Sequence, residues 1–215
     1  SEEAGRFLFR EKPFRVIPNL IDAEHRRFSE EKRRAIRRRY QIEESFVIGV
    51  IGRLAVQKNV TFLISLLPKL MKLKPSVVLM LVGSGSMLSI LDELAKDLGV
   101  EDSVIFAGSQ EDIQGYLSAF DVYAMPSLYE GLGISNLEAQ FNGLPCVVSD
   151  GVGEKSTISS NVKVVSLDNE FAWIDALLSA RREEGSLIEE KAKLYRLDRA
   201  QEVVSTMFKQ DLCNE

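Results

Sequence analysis

The sequence predicts an α/β fold, a single Rossmann-like, doubly wound parallel sheet with helices on both faces. Short runs rich in valine, isoleucine and phenylalanine recur along the chain. Most are apolar throughout and do not alternate, as strands buried on both faces require. Between them lie segments with helical spacing, such as Leu63, Leu66, Leu67 and Leu70, or Leu88, Leu91, Leu94 and Leu98. Alternation of strand and helix at this spacing is the pattern of a doubly wound sheet. With 215 residues, 45% of them hydrophobic, the chain can bury a core without disulfides or a structural metal.

Taken in order, strands are expected at 14–17 (FRVI), 46–52, 77–83, 104–108, 122–126, 145–149 and 162–166. Asn59 is placed to cap the helix that begins at Val60, and Gly99 to close the one ending near Leu98. Pro68 should kink or break the first of these after Leu67. From about 186 onward the sequence reads as helical, in one or two pieces. Residues 1–13 form a lead-in, 14–185 the sheet domain and 186–215 the closing helices. The first residues, SEEAGRFLF, lack an initiator methionine, which reads as a fragment or a processed chain.

Composition removes several function classes. Only Cys146 and Cys213 occur, the former inside the apolar PCVV, which argues for a reducing compartment and against a disulfide scaffold. A single histidine, His25, leaves no basis for a zinc cluster or a histidine-activated nucleophile. A net charge of −5 disfavours nucleic acid as the main partner. No apolar run approaches the roughly 18–20 residues needed to cross a bilayer, and no signal-peptide pattern is present, so a cytoplasmic protein is expected. One stretch stands apart, KRRAIRRR at 32–39, with six basic residues in eight. It reads as a solvated helix face, with Glu30 and Glu31 complementing the dipole at its start, or as an attachment to the anionic inner face of a membrane.

In an open α/β sheet, ligands gather beyond the carboxyl ends of the strands. Four loops there carry candidate chemistry. In GRLAVQKN (52–59), Arg53 and Lys58 flank a turn that opens a helix, a place suited to phosphate; the bland alternative is two solvated cations. VGSGS (82–86) lacks the third glycine of a dinucleotide fingerprint and the Lys-Ser/Thr of a P-loop, and reads as a tight turn. In GSQEDI (108–113), Ser109, Gln110 and Asp112 could read a base edge, or Asp112 could cap the following helix. The fourth, EGLGISNLE (130–138), sets Glu130 and Glu138 around Gly131 and Gly133. The glycines permit close approach to a ligand or a positive φ. Ser135 and Glu138 also make an S-x-x-E capping box, the structural alternative for Glu138.

Together, PNLID (18–22), GRLAVQKN, LVGSGSML, VIFAG, DVYAMPSLYEGLGISNLEAQFNGLPCVVSD and GVGE, in this order, resemble the carboxyl-terminal, donor-binding domain of retaining group 1 glycosyltransferases of the GT-B fold, in particular the capsular and exopolysaccharide type. The resemblance spans roughly residues 14–180. It implies that Arg53 and Lys58 hold the donor diphosphate and stabilise the leaving nucleotide in place of a metal. Glu130 would contact hydroxyls of the transferred sugar, and Gly131, Leu132, Gly133, Ile134 and Ser135 would line sugar and phosphates with their backbone. Glu138 would accept from the ribose, and residues from Gln110 to Ile113 would border the base. The implied substrates are a nucleotide-sugar, a UDP-sugar by the capsular likeness, and a glycan or lipid-linked acceptor in polysaccharide biosynthesis. No metal or other cofactor is implied.

The pattern departs from the family in two places. Relatives often carry a glutamate slightly later than Glu154, and no counterpart of the amino-terminal acceptor domain precedes residue 14; EEAGRFLFREKPF resembles its tail or the interdomain connection. The isolated chain is therefore expected to bind donor weakly and to transfer nothing. Two other functions fit parts of the pattern: a GT-B sugar-nucleotide epimerase, for which His25 is poorly placed, and a non-catalytic module that binds a nucleotide-sugar or a partner enzyme.

Overall fold

The computed structural model describes residues 2–14, 16, 19–152, 156–182, 190–201 and 205. Its elements are α1 (Glu2–Phe9), α2 (Glu30–Tyr40), β1 (Phe46–Ile51), α3 (Val60–Leu73), β2 (Val77–Val82), α4 (Leu88–Asp97), β3 (Val104–Gly108), α5 (Ile113–Ala119), β4 (Val122–Met125), α6 (Ile134–Phe141), β5 (Cys146–Ser149), β6 (Val162–Val165) and α7 (Glu170–Ser179). The strands form one sheet in the order β3-β2-β1-β4-β5-β6. Every pairing is parallel. The chain builds outward from β1 to β3, then returns past β1 to lay down β4, β5 and β6 on the other side. That reversal opens a crevice between the loops that follow β1 and β4, where folds of this order place their ligands.

Strand β2 shows why the sequence reads as unbroken apolar runs. Val77, Leu79 and Leu81 face a core shared with α3, α4 and α7, whereas Val78, Met80 and Val82 face a second core with α5 and the apolar side of α2. Both faces are covered, so no position in the strand can be polar.

Four expectations about local structure change. FRVI at 14–17 contributes no strand at its described residues, Phe14 and Val16; Arg15 and Ile17 lie outside the described residues. Phe14 instead stacks on Phe9, with ring centroids 5.7 Å apart. Helix α3 runs through Pro68 to Leu73. A helix-interior proline costs about 3 kcal/mol, while each fully buried Leu or Ile returns about 1.5–3 kcal/mol. Leu63, Ile64, Leu66, Leu67 and Leu70 are all buried along this helix, so packing outweighs the proline.

Asn59 stands at the head of α3 without capping it. It also ends the 3-10 turn Val56–Lys58 in left-handed geometry (φ 49°), and its Oδ1 accepts from Thr61 Oγ1 at 3.2 Å. After residue 189 the expected helix opens instead as 3-10 turns at Glu190–Tyr195 and Leu197–Arg199, and only then is the backbone α-helical, at the described residues Ala200, Gln201 and Ser205. Ile21 binds the backbone there, donating to Tyr195 O at 2.6 Å and accepting from Leu197 N at 2.9 Å. Gly99 behaves as expected: with φ 63°, its N–H reaches Lys96 O and that of Val100 reaches Ala95 O, both at 2.9 Å, closing α4.

The basic run 32–39 forms α2, and its cations divide by face. Arg34, Arg38 and Arg39 are exposed. Arg37 is buried, with Nε on Ala119 O (2.9 Å), Nη1 on Glu43 O and Ser45 O, and Nη2 on Asp121 Oδ2 (2.6 Å). Burial lowers its pKa, which the Asp121 charge opposes. Arg33 shares Asp121 through Oδ1 at 2.7 Å. Part of the run is thus internal bracing and not a solvated face. Among the described residues no helix is long and apolar enough to cross a membrane.

Candidate functional site

The loop after β1, Gly52–Asn59, is fixed against the loop after β2. Leu54 N donates to Ser84 O at 2.9 Å, and Met87 N to Leu54 O at 3.0 Å. A Cβ on Gly83 would stand 1.9 Å from Gly52 O, and one on Gly85 2.2 Å from Leu54 O. VGSGS is therefore a structural spacer that lets two loops close on each other.

The loop after β4 approaches from the other side of the crevice. Leu128 N donates to Gln57 O and Gln57 Nε2 to Tyr129 O, each at 2.8 Å, tying the two loops across the switch point. Lys58 Nζ lies 2.5 Å from Glu130 Oε1, which also accepts from Ser127 Oγ at 2.8 Å. Only 18% of the Lys58 side chain and 9% of the Glu130 side chain are exposed, so the pair sits out of bulk water. The β5 loop buttresses this arrangement: Glu130 N donates to Gly151 O at 3.1 Å, and a Cβ on Gly151 would strike Leu128 O at 2.2 Å. Arg53 shares the loop of Lys58 but is exposed, and no carboxylate among the described residues pairs with it.

Helix α6 starts beside this pair. Gly133 is its N-cap in left-handed geometry (φ 63°), a conformation that favours glycine. A Cβ on Gly131 would meet no atom within 4 Å, so the backbone there faces open space. Leu132 packs partly against the cluster of Ile21, Leu137 and Phe141, and Ile134 is exposed. The capping-box expectation does not hold. The helix begins one residue before Ser135, too early for that side chain to cap it, and Ser135 Oγ lies 2.8 Å from the buried Tyr123 hydroxyl instead. Burial pushes the Tyr123 phenol pKa up. Glu138 turns neither onto its own helix nor free into the crevice; its Oε1 accepts from Arg26 Nε at 2.8 Å.

The base-reading candidates sit at the end of β3, two strands from Lys58. Gln110 Nε2 folds back onto Ala107 O at 2.6 Å, and Ile113 packs on the core. Asp112 caps α5, its Oδ1 accepting from Gly115 N at 3.2 Å and from Lys32 Nζ at 2.7 Å. Glu154 lies outside the described residues.

Ser127 and Arg26 also belong to this site, and neither stands out in the sequence. Ser127 and Glu130 repeat the S-x-x-E spacing of Ser135 and Glu138, and it is the first pair, not the second, that bonds. Arg26 lies 112 positions from Glu138 in an ordinary charged stretch.

A parallel sheet of this order, with a shielded cation–carboxylate pair at its switch point and a helix start beside it, defines a doubly wound, Rossmann-like domain. The comparisons with known proteins agree. The model for glycosyl transferases group 1 matches residues 32–193. The chain is 35% identical to the putative glycosyltransferase EpsF of Bacillus subtilis over 164 residues, 72% of this chain and 42% of that protein. It is 30% identical to the Escherichia coli UDP-Gal:alpha-D-GlcNAc-diphosphoundecaprenol alpha-1,3-galactosyltransferase over 174 residues, 76% of this chain and 44% of that one. The crystal structure of Anabaena HepE in complex with UDP and glucose superposes with a TM-score of 0.75 at 21% identity, covering 91% of this chain and 57% of that one. This chain belongs to the group 1 glycosyltransferases, and spans less than half the length of the two curated relatives named here.

Proposed function

We propose that the chain is the donor-binding domain of a retaining glycosyltransferase, which passes a sugar from a nucleotide-sugar to a glycan or lipid-linked acceptor in polysaccharide biosynthesis at the cytoplasmic side of a membrane. The observation that carries this reading is the Lys58–Glu130 contact of 2.5 Å at the switch point, next to the start of α6. A diphosphate entering the crevice takes Lys58 from Glu130 and meets Arg53 at the rim. Both cations then stabilise the charge that builds on the leaving nucleotide, without a metal. Freed of its partner, Glu130 accepts from hydroxyls of the transferred sugar, while the open backbone at Gly131 admits it. Glu138 accepts from the ribose. UDP is the first nucleotide to test, because the E. coli relative is named for UDP-galactose and HepE was crystallised with UDP. The acceptor and full transfer require more chain than the sheet domain, so the isolated chain binds donor weakly and transfers nothing.

Calorimetric titration of the 215-residue chain with UDP, GDP and ADP tests this directly. Binding of one nucleotide is expected, weakened by Lys58→Ala and by Glu138→Gln. A folded chain that binds none of the three at millimolar concentration would sink the assignment.

A further inference from the structure

At the amino edge of the sheet, opposite the Lys58 crevice, lies an open cleft of about 460 Å³ that the donor reading leaves unused. It is bounded where β1 opens at Phe46, where Asp121 precedes β4 and where α7 gives way to Ala180 and Arg181. Four cations line it, Arg33, Lys74, Arg181 and Arg182, against one carboxylate, Asp121. That carboxylate is already engaged. Its oxygens accept from Arg33 at 2.7 Å, from Arg37 at 2.6 Å and from Val47 N at 2.7 Å.

Arg33 shares Asp121 with Arg37, whereas the other three cations have no carboxylate partner among the described residues. Arg182 lies over the Phe28 ring at 4.5 Å and donates to Asn142 O at 2.7 Å and Leu117 O at 3.2 Å, neutral acceptors that fix the guanidinium without cancelling its charge. Burial, and then the Arg33 charge, pull its pKa down to about 10. Lys74 Nζ stands 5.2 Å from the Phe46 ring centroid, and Arg181 Nη1 donates only to the Leu178 and Ala180 carbonyls. No carboxylate among the described residues pairs with Lys74, Arg181 or Arg182. Like charges gathered in a partly desolvated cleft repel, and a multiply charged anion relieves that repulsion. Guanidinium forks and an ammonium suit tetrahedral oxyanions in particular.

We propose that this cleft binds a phosphoryl group, free or carried on a lipid headgroup, with Lys74 and Arg181 making the contacts and the fixed charges of Arg33 and Arg182 supplying the field. The inward half of the basic run thereby gains a role beside bracing; a second cleft that Arg33 also lines is less one-sided, since Glu30 and Glu43 border it and Glu30 pairs with Arg34.

The test is a titration of the isotope-labelled chain with inorganic diphosphate at low ionic strength, read by backbone amide shifts. Amides of Phe46, Asp121 and Arg182 should move, and the double variant Lys74→Glu, Arg181→Glu should weaken that response by about tenfold or more. Both side chains lie at the rim, so the variant is expected to fold, and persisting shifts at Gly52–Asn59 would report an intact domain. Shifts confined to Gly52–Asn59 and Gly131–Ser135, or a response at Phe46 and Arg182 that the double variant leaves unchanged, would overturn the proposal. Co-sedimentation with phosphatidylcholine vesicles, with and without phosphatidylglycerol, identifies the source. Capture that needs phosphatidylglycerol and is lost in the double variant assigns the phosphoryl group to a lipid. A diphosphate response without capture assigns it to a soluble ligand, and capture without any diphosphate response overturns the site.

Discussion

Arg26 Nε donates to Glu138 Oε1 at 2.8 Å, joining a 3-10 turn near the start of the chain to the middle of α6. The contact is shielded, with 27% of the Arg26 side chain and 15% of the Glu138 side chain exposed. Asn142 Nδ2 holds the same turn through Arg26 O at 2.7 Å. One carboxylate oxygen is thus committed before any ligand arrives, which leaves the other to accept. Arg26 is a positioning residue for Glu138 in the proposed donor site.

If Glu138 reads the ribose, its loss should be felt only by nucleotides with intact hydroxyls. A hydrogen bond to a charged group is worth about 1.5–3 kcal/mol, so Glu138→Gln should weaken UDP binding by about tenfold or more and erase the preference for UDP over 2′-deoxy-UDP. Arg26→Ala should lower that preference in part while the far-ultraviolet spectrum stays native. An Arg26→Ala chain that keeps the full preference would remove its positioning role.

The Lys58–Glu130 pair predicts a particular non-additivity. Each side chain is largely shielded, so removing one leaves the other charge buried, at a cost of about 3–5 kcal/mol for well-buried pairs. Ser127 Oγ softens the loss on the Glu130 side. Lys58→Met should therefore destabilise the fold by about 2–3 kcal/mol in urea unfolding, and the double variant Lys58→Met, Glu130→Gln should recover part of it. Glu130→Gln alone should also bind UDP more tightly than the parent, since Lys58 is released to the diphosphate. Weaker UDP binding in that variant would show that the carboxylate supports the phosphate site and does not compete for its lysine.

Asp121 is the most connected carboxylate of the amino edge, accepting from Arg33, Arg37 and Val47 N. Asp121→Asn keeps the shape but removes the carboxylate charge that pairs with the buried Arg37 guanidinium. Breaking a buried ion pair costs about 3–5 kcal/mol, so a clear fall in the urea midpoint is expected. Arg34→Ala, whose partner Glu30 is also exposed, should change stability by no more than about 0.5 kcal/mol. Equal effects of the two substitutions would refute the division of the basic helix into inner and outer faces.

The inner strands were legible because burial on both faces forces unbroken apolar runs, as in β2, and the turn glycines were legible where left-handed geometry favours them, as at Gly99 and Gly133. FRVI misled because four apolar-rich residues suit an extended connection as well as a strand, and Phe14 found Phe9 instead of the sheet. Pro68 misled because a local rule was outweighed by packing that the rule does not see. At the site, Lys58 and Glu130 could be proposed separately, but the contact between them depends on strand order. So does Arg26–Glu138, which no spacing within a short window encodes. Arg33 and Arg37 share a helix face at i, i+4, yet so do Arg34 and Arg38, and composition cannot say which pair turns inward.

Alkaline pH gives a test of the core itself. Cys146 is fully buried in β5, and burial raises its thiol pKa well above the ordinary 9.0. A group whose folded pKa is raised keeps its proton in the native state while the unfolded chain releases it. The native state then binds more protons, and stability falls as pH rises. From Cys146 alone the decline begins near pH 9, with a limiting slope of about 1.4 kcal/mol per pH unit. Tyr116 and Tyr123, both raised mainly by burial from an ordinary 10.0, join about one unit later. Arg182 has the opposite sign, because its folded pKa of about 10 lies below the ordinary 12.5 and the native state loses that proton first; its contribution partly offsets the tyrosines above pH 10. Urea midpoints measured between pH 8 and 10 should therefore decline in the parent and stay nearly level in Cys146→Ala, with both chains declining further above pH 10. Parallel curves for the two chains across this window would mean that the Cys146 thiol titrates alike in the folded and unfolded states.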